Sequence, residues 1–137
     1  MMVGGAYYAV AGTISPRVVL VSVPLSILVS LILLANELRD FEADTRHGIR
    51  TLTVRIGYRR GIIIYCILLA CAYVTPAILW RAGLFPHLRL LYFALPCAVP
   101  PFLFFGRPPR QRMPVIPLVM LHHLAFGTLF CVTYFVR

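Results

Sequence analysis

Uncharged residues fall in long blocks along this chain: 18–35, 61–80, 90–106 and 113–136. A helix needs about 17–25 such residues to cross roughly 30 Å of hydrocarbon. The blocks show no polar face, and a helix apolar all round must lie in a large core or in lipid. A chain of 137 residues has too little interior to hide four of them. A shorter uncharged block, 1–14, ends at Ile14-Ser15-Pro16, where proline fixes φ and helix can restart. The pattern predicts an all-α, polytopic transmembrane helix bundle of about four full spans plus part of a fifth. Span boundaries are expected at Arg17–Asn36, at 61–80, at 89–106 and at 114–136. Pro24 and Pro76 lie inside the first two, and Pro96, Pro100 and Pro101 interrupt the third. Residues 1–137 read as a single, partial transmembrane domain, with 36–60 as its polar motif loop.

Composition agrees with lipid as the solvent: 61% of residues are hydrophobic and 12% charged, against about 25% charged in a soluble domain. All 13 basic residues are arginine and the net charge is +9. They cluster between apolar blocks, in 39–60 and 107–112, which fits the positive-inside rule rather than nucleic-acid binding. Arg17, Arg81, Arg89 and Arg137 fall on the other side. A multi-pass protein of the cell (plasma) membrane, with the motif loop cytoplasmic and the lipid bilayer as its partner, is expected; nucleic acid is not. Cys66, Cys71, Cys97 and Cys131 lie inside apolar blocks with no close pair, as small hydrophobes do. The start carries no basic segment of a signal peptide and reads as the end of an earlier helix.

All four acids, Glu37, Asp40, Glu42 and Asp44, fall within eight positions directly after an apolar span. If helix continues there, Asn36, Asp40 and Asp44 at i, i+4 and i+8 share one face. Carboxylates at that spacing repel unless a cation lies between them. Magnesium, which takes one or two carboxylates and completes its shell with water and phosphate oxygens, suits the pattern. Arg46, Arg50 and Arg55 follow, and arginine makes bidentate contacts with phosphate. A solvated helix end beside a positive-inside loop would account for the same composition, and the Asp-x-x-x-Asp spacing alone does not separate the two.

The string from Asn36 to Gly57, Asn-Glu-Leu-Arg-Asp-Phe-Glu-Ala-Asp-Thr-Arg-His-Gly-Ile-Arg-Thr-Leu-Thr-Val-Arg-Ile-Gly, resembles the second aspartate-rich motif of the UbiA superfamily of intramembrane prenyltransferases. It is most similar to the menaquinone-pathway branch, whose acceptor is 1,4-dihydroxy-2-naphthoate. Gly5-Ala6-Tyr7-Tyr8 and Gly12-Thr13-Ile14-Ser15 resemble the segment before that helix in the same branch. The resemblance implies a nine-span helical fold and transfer of an isoprenyl chain from an allylic diphosphate to an aromatic acceptor. It implies that Asp40 and Asp44 are the catalytic magnesium ligands, and that Asn36, Arg46 and Arg50 bind the diphosphate. Ile49 departs from the pattern, which has lysine there. A first aspartate-rich motif is absent, since no acid lies outside 37–44. The resemblance therefore implies a missing N-terminal half as partner, and no activity from this chain by itself.

Other polar residues have ordinary readings beside functional ones. His122 and His123 sit mid-span, about 100° apart on a helix, so they suit hydrogen-bonded packing better than joint metal binding. His47 suits diphosphate contact or solvent equally. Tyr7 and Tyr8 could line an acceptor pocket or anchor at the interface, and Trp80-Arg81 reads as an interfacial anchor. Two further functions stay open at this point. One is prenyl transfer to another acceptor, such as haem, a chlorophyll precursor, homogentisate or a glycerol-type acceptor; the other is a non-catalytic, cation-binding membrane fragment. The Asp-Gly-x-x-Ala-Arg string of CDP-alcohol phosphotransferases is absent.

Overall fold

The computed structural model describes residues 2–135, with the side chains of residues 2–4 and 6 left aside. The position of Arg137 and the end of the last span at Val136 lie outside the described residues. Helix α1, Met2–Ala11, is about 15 Å long at 1.5 Å per residue and falls short of a crossing. The break comes where proline places it. Gly12 takes positive φ, Ser15 accepts from the Arg17 amide as N-cap, and Pro16 opens helix α2, Pro16–Arg46.

Among the described residues, four helical segments are long and apolar enough to cross a membrane: Pro16–Arg46, Tyr58–Arg81, Leu88–Phe105 and Pro109–Phe135. Helix α2 has 31 residues and is about 46 Å long, so it outreaches roughly 30 Å of hydrocarbon and carries the acids on a rigid extension. Pro24 lies buried within it without ending it. The stretch 36–60 is thus mostly helical: the end of α2, a turn, and α3, Leu52–Ile56. Helix α4 spans Tyr58–Arg81. The proline-interrupted span is built of α5, Leu88–Leu91, a 3-10 turn Tyr92–Ala94, α6, Leu95–Ala98, and α7, Phe102–Phe105. Prolines 96, 100 and 101 each lack a donor, which is why no continuous helix forms here. Helix α8, Val115–Phe135, closes the bundle.

Leu28, Leu31, Leu34, Ala35 and Leu38 form the buried stripe of α2, which packs on α4 and α8. In mid-bundle, the Tyr73 hydroxyl and His122 Nε2 lie 2.9 Å apart, buried, beside Phe126. This satisfies one of the two mid-span histidines by packing, as expected; His123 Nδ1 has no partner among the described residues. At the end remote from the acids, Phe85 is buried between Phe130 and Tyr134, and the Tyr134 hydroxyl donates to the Leu84 carbonyl. At the acid end, the Tyr58 hydroxyl donates to the Phe105 carbonyl at 2.6 Å. These contacts place the 82–87 and 47–57 connections at opposite ends of the bundle.

Candidate functional site

Asn36, Asp40 and Asp44 do share one face, because α2 stays helical to Arg46. All three are half-buried. That face continues down the helix into the exposed Leu33 and Val29, on the side away from α2's buried stripe. The Asn36 amide donates to the Ile32 carbonyl at 3.1 Å, which leaves its side-chain oxygen to accept elsewhere.

The four acids have separate roles in the structure. Glu37 Oε2 accepts from the Thr53 amide at 2.9 Å, and the Thr53 hydroxyl reaches the Glu37 carbonyl at 3.4 Å. Thr53 N–H is one of the donors that the first turn of α3 leaves unsatisfied, so Glu37 caps that turn from another element. Glu42 Oε2 accepts from Arg112 at 2.8 Å. The Arg112 guanidinium, almost fully buried, also donates to the Arg107 carbonyl at 2.8 Å and lies 4.4 Å over the Tyr58 ring. Phe41 packs on the same ring at 5.2 Å. Glu37 and Glu42 therefore tie α3 and the 107–112 turn to α2, two roles that reading the acids as one cluster did not separate. Arg112 lies 70 residues from its partner, and nothing local marks the pair.

Asp40 and Asp44 are left for other work. Arg39 holds both oxygens of Asp40, at 2.7 and 2.6 Å. The two side chains are 26% and 42% exposed, and an ion pair so open to solvent is worth about 0–1 kcal/mol. It yields readily to a stronger ligand. The Asp44 carboxylate has no hydrogen-bond or ion-pair partner among the described residues. Their donor set fits magnesium: two carboxylates one turn apart on an open face leave room for water and phosphate oxygens. No cluster of three or more His, Cys, Asp or Glu able to hold a metal occurs among the described residues, so no closed protein cage forms.

Helix α2 stops in a Schellman turn. Ile49 N–H donates to the Asp44 carbonyl at 2.9 Å, Gly48 N–H to the Thr45 carbonyl, and Gly48 adopts φ +71°. The chain then returns to Glu37, the i−3 neighbour of Asp40, which brings 48–52 back along the flank of the aspartate face. Arg50 lies on that returning segment, exposed. Arg46 is exposed on α2, its Nε on the Glu42 carbonyl, and neither it nor Arg50 lies within ion-pair distance of Asp40 or Asp44. His47 Nδ1 donates to the Ala43 carbonyl at 2.7 Å. Tyr7 and Tyr8 are exposed on α1.

Residues 1–113 match the model of the UbiA prenyltransferase family. Over 131 residues the chain is 31% identical to a 1,4-dihydroxy-2-naphthoate octaprenyltransferase of Haemophilus influenzae, a match covering 93% of this chain and 42% of the relative. It is 28% identical over 97 residues to the Bacillus subtilis protein of the same name, covering 66% of this chain and 30% of that one. The chain thus spans less than half the length of either relative. No solved structure gives a significant match.

Proposed function

This chain belongs to the UbiA prenyltransferase family, and from that premise we propose that it supplies the diphosphate-binding part of an aromatic prenyltransferase. The donor is an allylic isoprenyl diphosphate. The acceptor is 1,4-dihydroxy-2-naphthoate, a choice supported by the names of the two relatives. The observation that carries the reading is the aspartate face: Asp40 and Asp44 on a rigid helix extension, Asp44 unpartnered among the described residues, and the Arg50 segment stitched alongside by Glu37.

Asp40 and Asp44 would hold magnesium, which when bound neutralises charge on the departing diphosphate. Asn36 presents its amide oxygen beside them, and Arg46 and Arg50 supply guanidinium groups to the phosphate oxygens. The allylic C–O bond breaks with its electron pair leaving on the diphosphate. A ring carbon of the acceptor then bonds to the allylic cation and loses its proton. The apolar spans keep water from that cation. The aspartate face and the exposed Val29–Leu33 stripe below it receive the family's remaining helices in this reading. The acid end is cytoplasmic in this reading, since most arginines lie there.

The test joins this chain with the N-terminal half of a family member in isolated membranes. Labelled dihydroxynaphthoate, a long-chain isoprenyl diphosphate and magnesium are supplied. Prenylated product that vanishes in Asp40→Ala and Asp44→Ala is the expected result. Diphosphate binding that depends on both aspartates, without product, moves the acceptor to another branch. No diphosphate binding in a folded assembly overturns the enzyme reading.

A further inference from the structure

The end of the bundle remote from the acids holds a second site, separate from the prenyl-transfer chemistry. We propose that the cleft there binds the phosphodiester headgroup of an anionic membrane lipid, with Arg89 as its cation. The cleft measures about 570 Å³ and is lined by Trp80, His87, Leu88, Arg89, Leu90 and Tyr92, among others. It lies between the last turn of α4 and the start of the proline-broken span, the depth at which tryptophan and tyrosine meet lipid headgroups.

Charge identifies the ligand class. Arg17, Arg81 and Arg89 all lie at this end, whereas every acid of the chain lies at 37–44, at the other end. Among the described residues no carboxylate is within ion-pair distance of Arg89 or Arg81. A guanidinium is made for phosphate oxygens, which it binds bidentately. A zwitterionic choline headgroup would bring an ammonium that finds no acid here. Size and lining identify the source. The volume far exceeds that of inorganic phosphate, and Trp80, Leu88, Leu90 and Tyr92 offer apolar walls to the glycerol and first acyl carbons.

The cleft is also preformed. Phe85, 2% exposed, pins the connecting loop into the aromatic cluster of Phe130 and Tyr134. Gly83, at φ +70°, ends α4 with the Leu84 amide on the Leu79 carbonyl. The segment bearing His87 and Arg89 therefore starts from a fixed point and binds without the entropic cost of ordering a loop.

Trp80 is the sole tryptophan of the chain and lines the cleft, so its fluorescence reads the site directly. The chain is placed in bilayers that contain phosphatidylglycerol or phosphatidylcholine with brominated acyl chains, which quench tryptophan on contact. The anionic lipid is expected to quench Trp80 at about fivefold lower mole fraction, the effect of one arginine near an anionic headgroup. Arg89→Gln is expected to abolish the preference. Arg17→Gln, at the same end but outside the cleft, is expected to retain it in full, and Arg89→Lys, which keeps the charge but not the bidentate fork, to retain part of it. Equal quenching by both lipids overturns the proposal, as does a preference that survives Arg89→Gln. Release of the brominated lipid by millimolar inorganic phosphate overturns the lipid assignment and gives the cleft to free phosphate.

Discussion

Glu37, Asp40, Glu42 and Asp44 carry the same functional group in four different surroundings, and the surroundings decide what each does. Removing the Asp44 carboxylate, which has no partner among the described residues, leaves no other described group stranded. Asp44→Asn is therefore expected to keep the fold and to lower prenyl transfer by the assembled enzyme by roughly 10²-fold, the order seen when one charge-stabilising group is lost. A detergent melting curve beside the membrane assay checks both halves of that statement. Arg112 behaves in the opposite way. Its guanidinium is buried against Glu42, the Arg107 carbonyl and the Tyr58 ring. The Glu42 side chain is 37% exposed, and the guanidinium keeps the Arg107 carbonyl when it is lost. Glu42→Ala is therefore expected to destabilise the chain by about 1.5–3 kcal/mol, the worth of a hydrogen bond to a charged group, read in an unfolding titration with a denaturing detergent. The two acids are two residues apart and differ in what faces them.

At the scale of elements, the acid face depends on how α2, α3 and α4 meet. Gly61 lies where a Cβ would come within 3.0 Å of both Leu38 and Thr53 methyl groups. Both neighbours are fully buried, so neither has room to retreat. Gly61→Ala is expected to push α4 off the α2–α3 junction at a cost of about 1–3 kcal/mol, visible as a lowered melting temperature. Gly48 has open space around it but a positive φ, so its constraint is backbone conformation alone. Gly48→Ala is expected to cost about 1–2 kcal/mol, the penalty of a Cβ in the left-handed region. It would also displace the Arg50 segment and raise the KM for the diphosphate while leaving that for the acceptor unchanged. Steady-state kinetics with each substrate varied in turn would show the split. Hydropathy does not separate the Schellman turn from the rest of 36–60, and the cap supplied to α3 by Glu37 crosses 16 residues and leaves no local trace.

For the whole molecule, the alternation of four spans sends 47–57 and 106–114 to one end and 82–87 to the other. Cysteines introduced as Arg110→Cys and Ala82→Cys, both at exposed positions, should be labelled from opposite sides of a sealed vesicle by a membrane-impermeant thiol reagent. Labelling of Arg110→Cys from the cytoplasmic side would agree with the proposed orientation, and the reverse pattern would invert it. The native cysteines all lie within the spans, where lipid rather than water is the neighbour, so the aqueous reagent is expected to give little background from them.

The spans, their breaks and the aspartate face could be read from the chain because each rests on local physics. Uncharged length sets a crossing, proline removes a donor, and helical periodicity puts positions four apart on one side. Composition already excluded a soluble core, and the string 36–57 already resembled the family that residues 1–113 match. What only the tertiary structure decided is which acids are tied down and which are open. Glu37 and Glu42 are consumed by Thr53 and Arg112, and the remote end closes around Phe85 into a basic cleft. Those outcomes depend on groups 16 to 70 residues apart meeting across helices. Charge and hydropathy are properties of a position, but partnership is a property of packing.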